Sequence, residues 1–316
     1  MKRFTAVLLI AVLIAMSVPG CARQQGYKKA ANTGERVDTH PYLVKTESAV
    51  WYLAKADIEL LGEDAYCEGL FAMLDDAEAD MRDARAALKG YIPDEIPAVD
   101  ILTDFCGRDG TAESASAYYN GSGNYITLFS GWEHARVALL HEYVHYLTMH
   151  CAGTPARFGF WAEGVADYIA DLVCKNRLGR SANMGFEICG YPPVMWDQSW
   201  DGAENCIDPR KLYFGLGAIA ANGGLVGVPC YAVMNETIVR TAEMQENLQP
   251  QALSLPEAAG MIAYLADTYG RDAVFSSWNA DPDAMETLFG KPFSELCRVW
   301  AEWNAEQCRI MGIRFR

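Results

Sequence analysis

VALLHEYVHYL, residues 137–147, is an apolar run broken by His141, Glu142 and His145. The chain has five histidines, and two of them stand here four residues apart. The run and its flanks read as a helix over about 133–149. On a helix, residues four apart lie nearly above one another, so His141 and His145 project from one face. Either the helix carries two polar residues in an awkward place, or two imidazoles share a metal ion. The spacing suits zinc, with Glu142 turned about 100° away, beside the metal rather than on it. From there Glu142 can accept a proton from an activated water.

A tetrahedral catalytic zinc takes a third protein ligand and keeps one position open. Glu163, in FWAEGVADYIADL (160–172), is the candidate. A loop containing Gly153-Thr154-Pro155 leads to its helix, expected over about 161–177. Asp167 lies four residues further on the same face. There a carboxylate could hold the free ring nitrogen of a ligand histidine.

Upstream, residues 47–61 and 65–89 read as helices. In the second, Leu70, Leu74, Met81 and Leu88 mark an apolar face that Gly90 and Pro93 end. Residues 98–105 read as a strand, and 114–129 as two strands around an Asn120-Gly121 turn. Residues 179–255 form a stretch rich in Gly, Pro, Trp and Cys, read as an irregular insert. Beyond it, 257–270, 272–279 and 292–308 read as helices. The fold class expected is α+β.

The first twenty residues have the layout of an export signal: MKR, then FTAVLLIAVLIAM, then SVPG before Cys21. VPGC resembles a bacterial lipobox, in which Cys21 would carry lipid. An ordinary signal peptide or an uncleaved anchor is the alternative. Residues 21–45 are polar and read as a tether, leaving 46–316 as the folded domain. The export signal and Cys21 together lead to the expectation of a protein outside the cytoplasm, anchored to a membrane, and Ala22 after the cysteine gives no inner-membrane retention signal.

Removing residues 1–20 takes away two cations and no acid, which moves the formal charge from −15 to −17. With no basic stripe to neutralise phosphates, nucleic acid is excluded as an expected partner. Apart from Cys21, nine cysteines remain. Export permits disulfides, and an odd number leaves at least one thiol over. Cys151 is read as a disulfide partner. No CxxC pair supports a cysteine-ligated zinc. His40 and His134 read as bland, His150 as a surface or capping residue near the helix end, and Trp161 as packing.

HEYVH followed by WAEGVADY (161–168) resembles the gluzincin metallopeptidases, in particular the bacterial peptidase MA-like family. These have HExxH and a glutamate about 18 residues on. IAYLADTYG (262–270) and LFGKPFSELCRVWAEW (288–303) are similar to that family's C-terminal helices. The resemblance covers most of residues 65–305 and is weakest over 179–255. It implies a zincin-like fold, with a small mixed sheet and an active-site helix ahead of a mainly helical C-terminal part. It also implies one Zn2+ per chain on His141, His145 and Glu163, Glu142 as general base, and a peptide or protein substrate. The hairpin strand near Tyr125–Phe129 would then border the cleft, where an extended peptide could add as a further strand.

The chain departs from the family at one place. Many members carry a tyrosine, suited to steadying the oxyanion, before the segment matching IAYL. Here that place reads ALSLPEAAG (252–260). Tyr213 and Tyr231 are the substitutes on offer. A different donor, or a weak or inactive protein with a binding or structural role, is the alternative.

Overall fold

Every second residue of Ala49–Leu53 is buried, with Val50 and Tyr52 only partly so. That alternation, in a run of β-branched and aromatic residues, is what a half-buried strand requires. It corrects the helix expected over 47–61, which is helical only over Lys55–Leu61.

In the computed structural model the described residues are 26–105, 117–129, 132–151, 159–178, 255–276 and 282–292, with 295, 296, 298–300, 302, 303 and 306. The export signal, Cys21, Tyr213, Tyr231 and the stretch 179–254 lie outside them. The architecture is mixed α+β, built on a six-stranded mixed sheet. The chain divides into two compact units, residues 1–86 with 95–146, and residues 87–94 with 147–316. No helix among the described residues is long and apolar enough to cross a membrane.

The first unit holds strands β1 (Lys29–Ala31), β2 (Tyr42–Lys45), β3 (Ala49–Leu53), β4 (Val99–Thr103), β5 (Ala117–Asn120) and β6 (Tyr125–Leu128). It also holds helices α1 (Lys55–Leu61), α2 (Glu63–Ala87, by all but its last residue) and α3 (Trp132–His145). The sheet order is β1-β2-β3-β4-β6-β5. The β3–β4 and β4–β6 pairs are parallel and the others antiparallel. β1 and β2 correct the tether expected over 21–45. Their short, mostly polar runs carry no clear alternation, and pairing along β3 is what makes them strands.

One register row crosses five strands: Val44, Trp51, Ile101, Ile126 and Tyr119. Four of the five are fully buried, and Tyr119 is 7% exposed. Directly opposed residues share a face, so this row forms one side of the core. Leu70, Leu74 and Met81 of α2 are buried as the 3.6-residue period predicts. Each such side chain contributes about 1.5–3 kcal/mol through removal from water.

β6 is paired on both sides, by β4 and by β5. It therefore offers no open edge, which corrects the expectation that an extended peptide could add to it as a further strand. Among the described residues the strand that ends the sheet on this side is β5. Its turn back to β6 closes through Asn124 at φ 54°, a left-handed position that asparagine tolerates.

The second unit contains α4 (Gly159–Leu178), α5 (Leu255–Tyr269), α6 (Arg271–Phe275) and α7 (Pro282–Phe289). α4 and α5 pack together. Val165, Ile169 and Val173 of α4, and Ile262 and Leu265 of α5, are each at most 2% exposed. Gly270, at φ 90°, separates α5 from α6. The ring of Phe275 meets Tyr91 edge-on at 5.3 Å and Tyr168 at 6.3 Å.

Candidate metal centre

The last turns of α3 are buried almost all round. Leu139, Leu140, Tyr143 and Val144 are each at most 2% exposed. A helical stretch buried on nearly every side belongs to an interior, and the apolar residues of VALLHEYVHYL encode it. Inside it, His141 and His145 are 8% and 6% exposed.

Buried imidazoles need partners for their ring nitrogens. The four-residue spacing sets these two rings edge to face, with centroids 4.7 Å apart. Their Nε2 atoms lie 3.0 Å from each other. Either one ring donates N–H to the other, or both lone pairs address one cation. Zn–N bonds of about 2.0–2.1 Å in a tetrahedral site place two nitrogens about 3.3 Å apart. The observed separation is close to that of a ligand pair.

His141, His145 and Glu163 each offer a donor atom, and these atoms all lie within 4.8 Å of one another. The group could hold a metal ion. Two imidazoles and one carboxylate suit a divalent cation of borderline softness and leave a tetrahedral site one position open.

Glu142 is half-buried, and its Oε2 accepts the backbone N–H of Tyr119 at 2.8 Å. Tyr119 lies on β5 and is itself held in place. Its hydroxyl donates to Asn124 Oδ1 at 3.0 Å, and its ring meets Tyr146 edge-on at 6.3 Å. Tyr146 stacks on Tyr143 at 5.8 Å and donates its hydroxyl to the Pro97 carbonyl at 2.8 Å.

A second fastening lies two turns earlier. Arg136 of α3 grips Asp80 of α2 through two nitrogens, with Nη2 to Oδ1 at 2.9 Å. Nη1 reaches Asp76 at 3.3 Å. Asp80 is 2% exposed, so this fork supplies the counter-charge that a buried carboxylate needs.

After His145 the helix widens into a π-helical stretch, Tyr146–Cys151. Such widening recurs at functional sites. His150 lies exposed within it, in keeping with a surface role. Asp167 is buried one turn beyond Glu163 on α4, and Asp171 is fully buried one turn further.

His141, His145 and Glu163 were legible as a trio from the sequence, and the structure brings them together. Tyr119 was not legible, because it acts through its main chain. Arg136 and Asp80 were missed too, although an acid at position 80 interrupts the apolar face of α2. Asp171 was overlooked as the next acid at four-residue spacing after Asp167.

Compared with protein-family models, with curated proteins and with solved structures, the chain matches none of them.

Proposed function

We propose that the protein is a zincin-like, zinc-dependent peptidase, exported and held at a membrane by lipid on Cys21. The observation that carries this reading is the cluster of two imidazoles and a carboxylate with Glu142 beside it. Support also comes from the donor chemistry. His and Glu, with no thiolate among the three, favour a catalytic over a closed structural zinc site.

Bound zinc would lower the pKa of water and polarise a peptide carbonyl. His141, His145 and Glu163 would hold the ion. Asp167, buried on the helix of Glu163, is placed in this reading to steady a ligand histidine. Glu142 accepts the proton of the attacking water and passes it to the leaving amine. Burial of α3 around the histidines keeps their orientation fixed and limits competing water. Tyr213 is the candidate for stabilising the oxyanion, as the substitute for the tyrosine missing from ALSLPEAAG.

The test is a peptide library incubated with the protein, with and without a chelator. Chelator-sensitive cleavage is expected, lost in Glu142→Gln while the metal stays bound. Glu142→Gln with wild-type activity would remove Glu142 as the base. Metal binding without cleavage of any peptide would favour the rival, a surface lipoprotein that keeps its ion for structure.

A further inference from the structure

The contact between Glu142 and Tyr119 joins a residue at the centre of the site to the main chain of the terminal strand. Tyr119 pairs with Ile126 across the β5–β6 ladder, yet its N–H is given to Glu142 Oε2 at 2.8 Å. This N–H therefore turns away from β6, on the side of β5 that pairs with no strand among the described residues.

We propose that the backbone amide of Tyr119 is the positioning group for Glu142. It holds Oε2 and leaves Oε1 as the oxygen that handles the proton. The inference rests on the peptidase reading above. The contact itself involves only protein atoms and is testable without activity.

Three observations support a fixed anchor rather than a passing contact. The bond is charge-assisted, and such bonds are shorter and stronger than neutral ones. Tyr119 is 7% exposed and pinned at both ends of its side chain, by Asn124 and by Tyr146. Its opposed residue, Ile126, is fully buried in the same sheet row. A glutamate has three rotatable side-chain bonds, and holding one carboxylate oxygen removes most of that freedom before substrate arrives.

A consequence follows for binding. A peptide adding to β5 as a further strand would need outward-facing N–H groups. At Tyr119 that group is already committed to a carboxylate, and a neutral peptide carbonyl is the weaker competitor. The terminal strand is thus closed to strand addition at this position.

The experiment has two arms, both on the full chain. In the first, the Tyr119 amide is followed by NMR in protein labelled with 15N-tyrosine, as wild type and as Glu142→Gln. The Tyr119 amide proton is expected to move upfield when the charged acceptor becomes neutral, with Tyr118 and Tyr125 scarcely changed. A Tyr119 amide indifferent to Glu142→Gln overturns the proposal, whatever the activity.

In the second arm, the α-hydroxy acid analogue of tyrosine at position 119 replaces the N–H by an ester oxygen. kcat is expected to fall about 10- to 100-fold at unchanged KM, with bound metal retained. The same analogue at position 118 disturbs β5 but spares the anchor, so it should lower stability and leave kcat. Equal kcat losses at both positions would reduce the contact to sheet integrity and overturn the proposal. A shifted Tyr119 amide in a wild type that cleaves nothing would sustain the anchor and remove the peptidase reading instead.

Discussion

The Nε2 atoms of His141 and His145 stand 3.0 Å apart within the buried last turns of α3. Two buried nitrogens facing each other this closely make a site that a cation stabilises. A ligand that binds only the folded state raises its stability by RT ln(1 + [L]/Kd). Zinc at a thousandfold excess over Kd should therefore add about 4 kcal/mol to the wild type. Thermal melting of His145→Ala should show no such gain. An equal zinc-dependent rise in both proteins would place the metal elsewhere.

Removing one partner of a buried ion pair costs more than the pair contributes, because the other charge stays buried. Arg136 has a side chain 21% exposed, whereas Asp80 is 3% exposed. Arg136→Ala should then destabilise the metal-free protein by about 3 kcal/mol. Asp80→Ala should cost less, since Arg136 keeps Asp76 and reaches water. Urea midpoints of the two variants check the order.

Thr103 is fully buried at the end of β4, and its hydroxyl serves three groups. It accepts the N–H of Ala54 at 3.0 Å and the hydroxyl of Tyr66 at 2.5 Å, and it donates to the Tyr52 carbonyl at 3.1 Å. Thr103→Val keeps the shape and strands these partners. A loss of about 2–3 kcal/mol is expected, as each buried polar group left unsatisfied costs about 1–3 kcal/mol. Thr103→Ser should restore most of it. Chemical denaturation of the two variants decides this.

His40 supplies a pH dependence away from the candidate metal centre. Burial holds its pKa below the ordinary imidazole value. This outweighs the opposing pull of the Thr103 carbonyl, Asp104 and Asp57, while Arg36 adds to the lowering. The folded state therefore binds its proton less readily than the unfolded chain. The contribution of His40 to stability is complete above about pH 6.5 and is lost as the pH falls from there towards the folded pKa. His40→Gln should flatten this part of the stability profile, measured by urea denaturation between pH 5 and pH 8. An unchanged slope would show that other groups set it.

The parts of this fold that were legible in the sequence are those written in side-chain period. Leu70, Leu74 and Met81 mark α2 at helical spacing, and the Asn120-Gly121 pair marks the β5–β6 turn. HEYVH and Glu163 were legible because a metal site needs donor types that apolar helices rarely carry. β3 was misread, since AVWYL is too short for its period to separate strand from helix beside the helical residues that follow. β1 and β2 hold few apolar residues and become strands by pairing. The edge position of β5 depends on sheet order, which local pattern does not encode. Tyr119 was invisible for a simpler reason: every residue but proline has the N–H that it uses.

The central claim is that His141, His145 and Glu163 bind one zinc ion together. X-ray absorption at the zinc edge, on stoichiometrically loaded full-length protein, tests it most directly. The account predicts one zinc per chain with two imidazole nitrogens at about 2.0–2.1 Å, the other near ligands being oxygen and none sulfur. One imidazole should disappear in His141→Ala, and binding should weaken in Glu163→Gln. A sulfur-rich shell, or a shell unchanged by these substitutions, would contradict it.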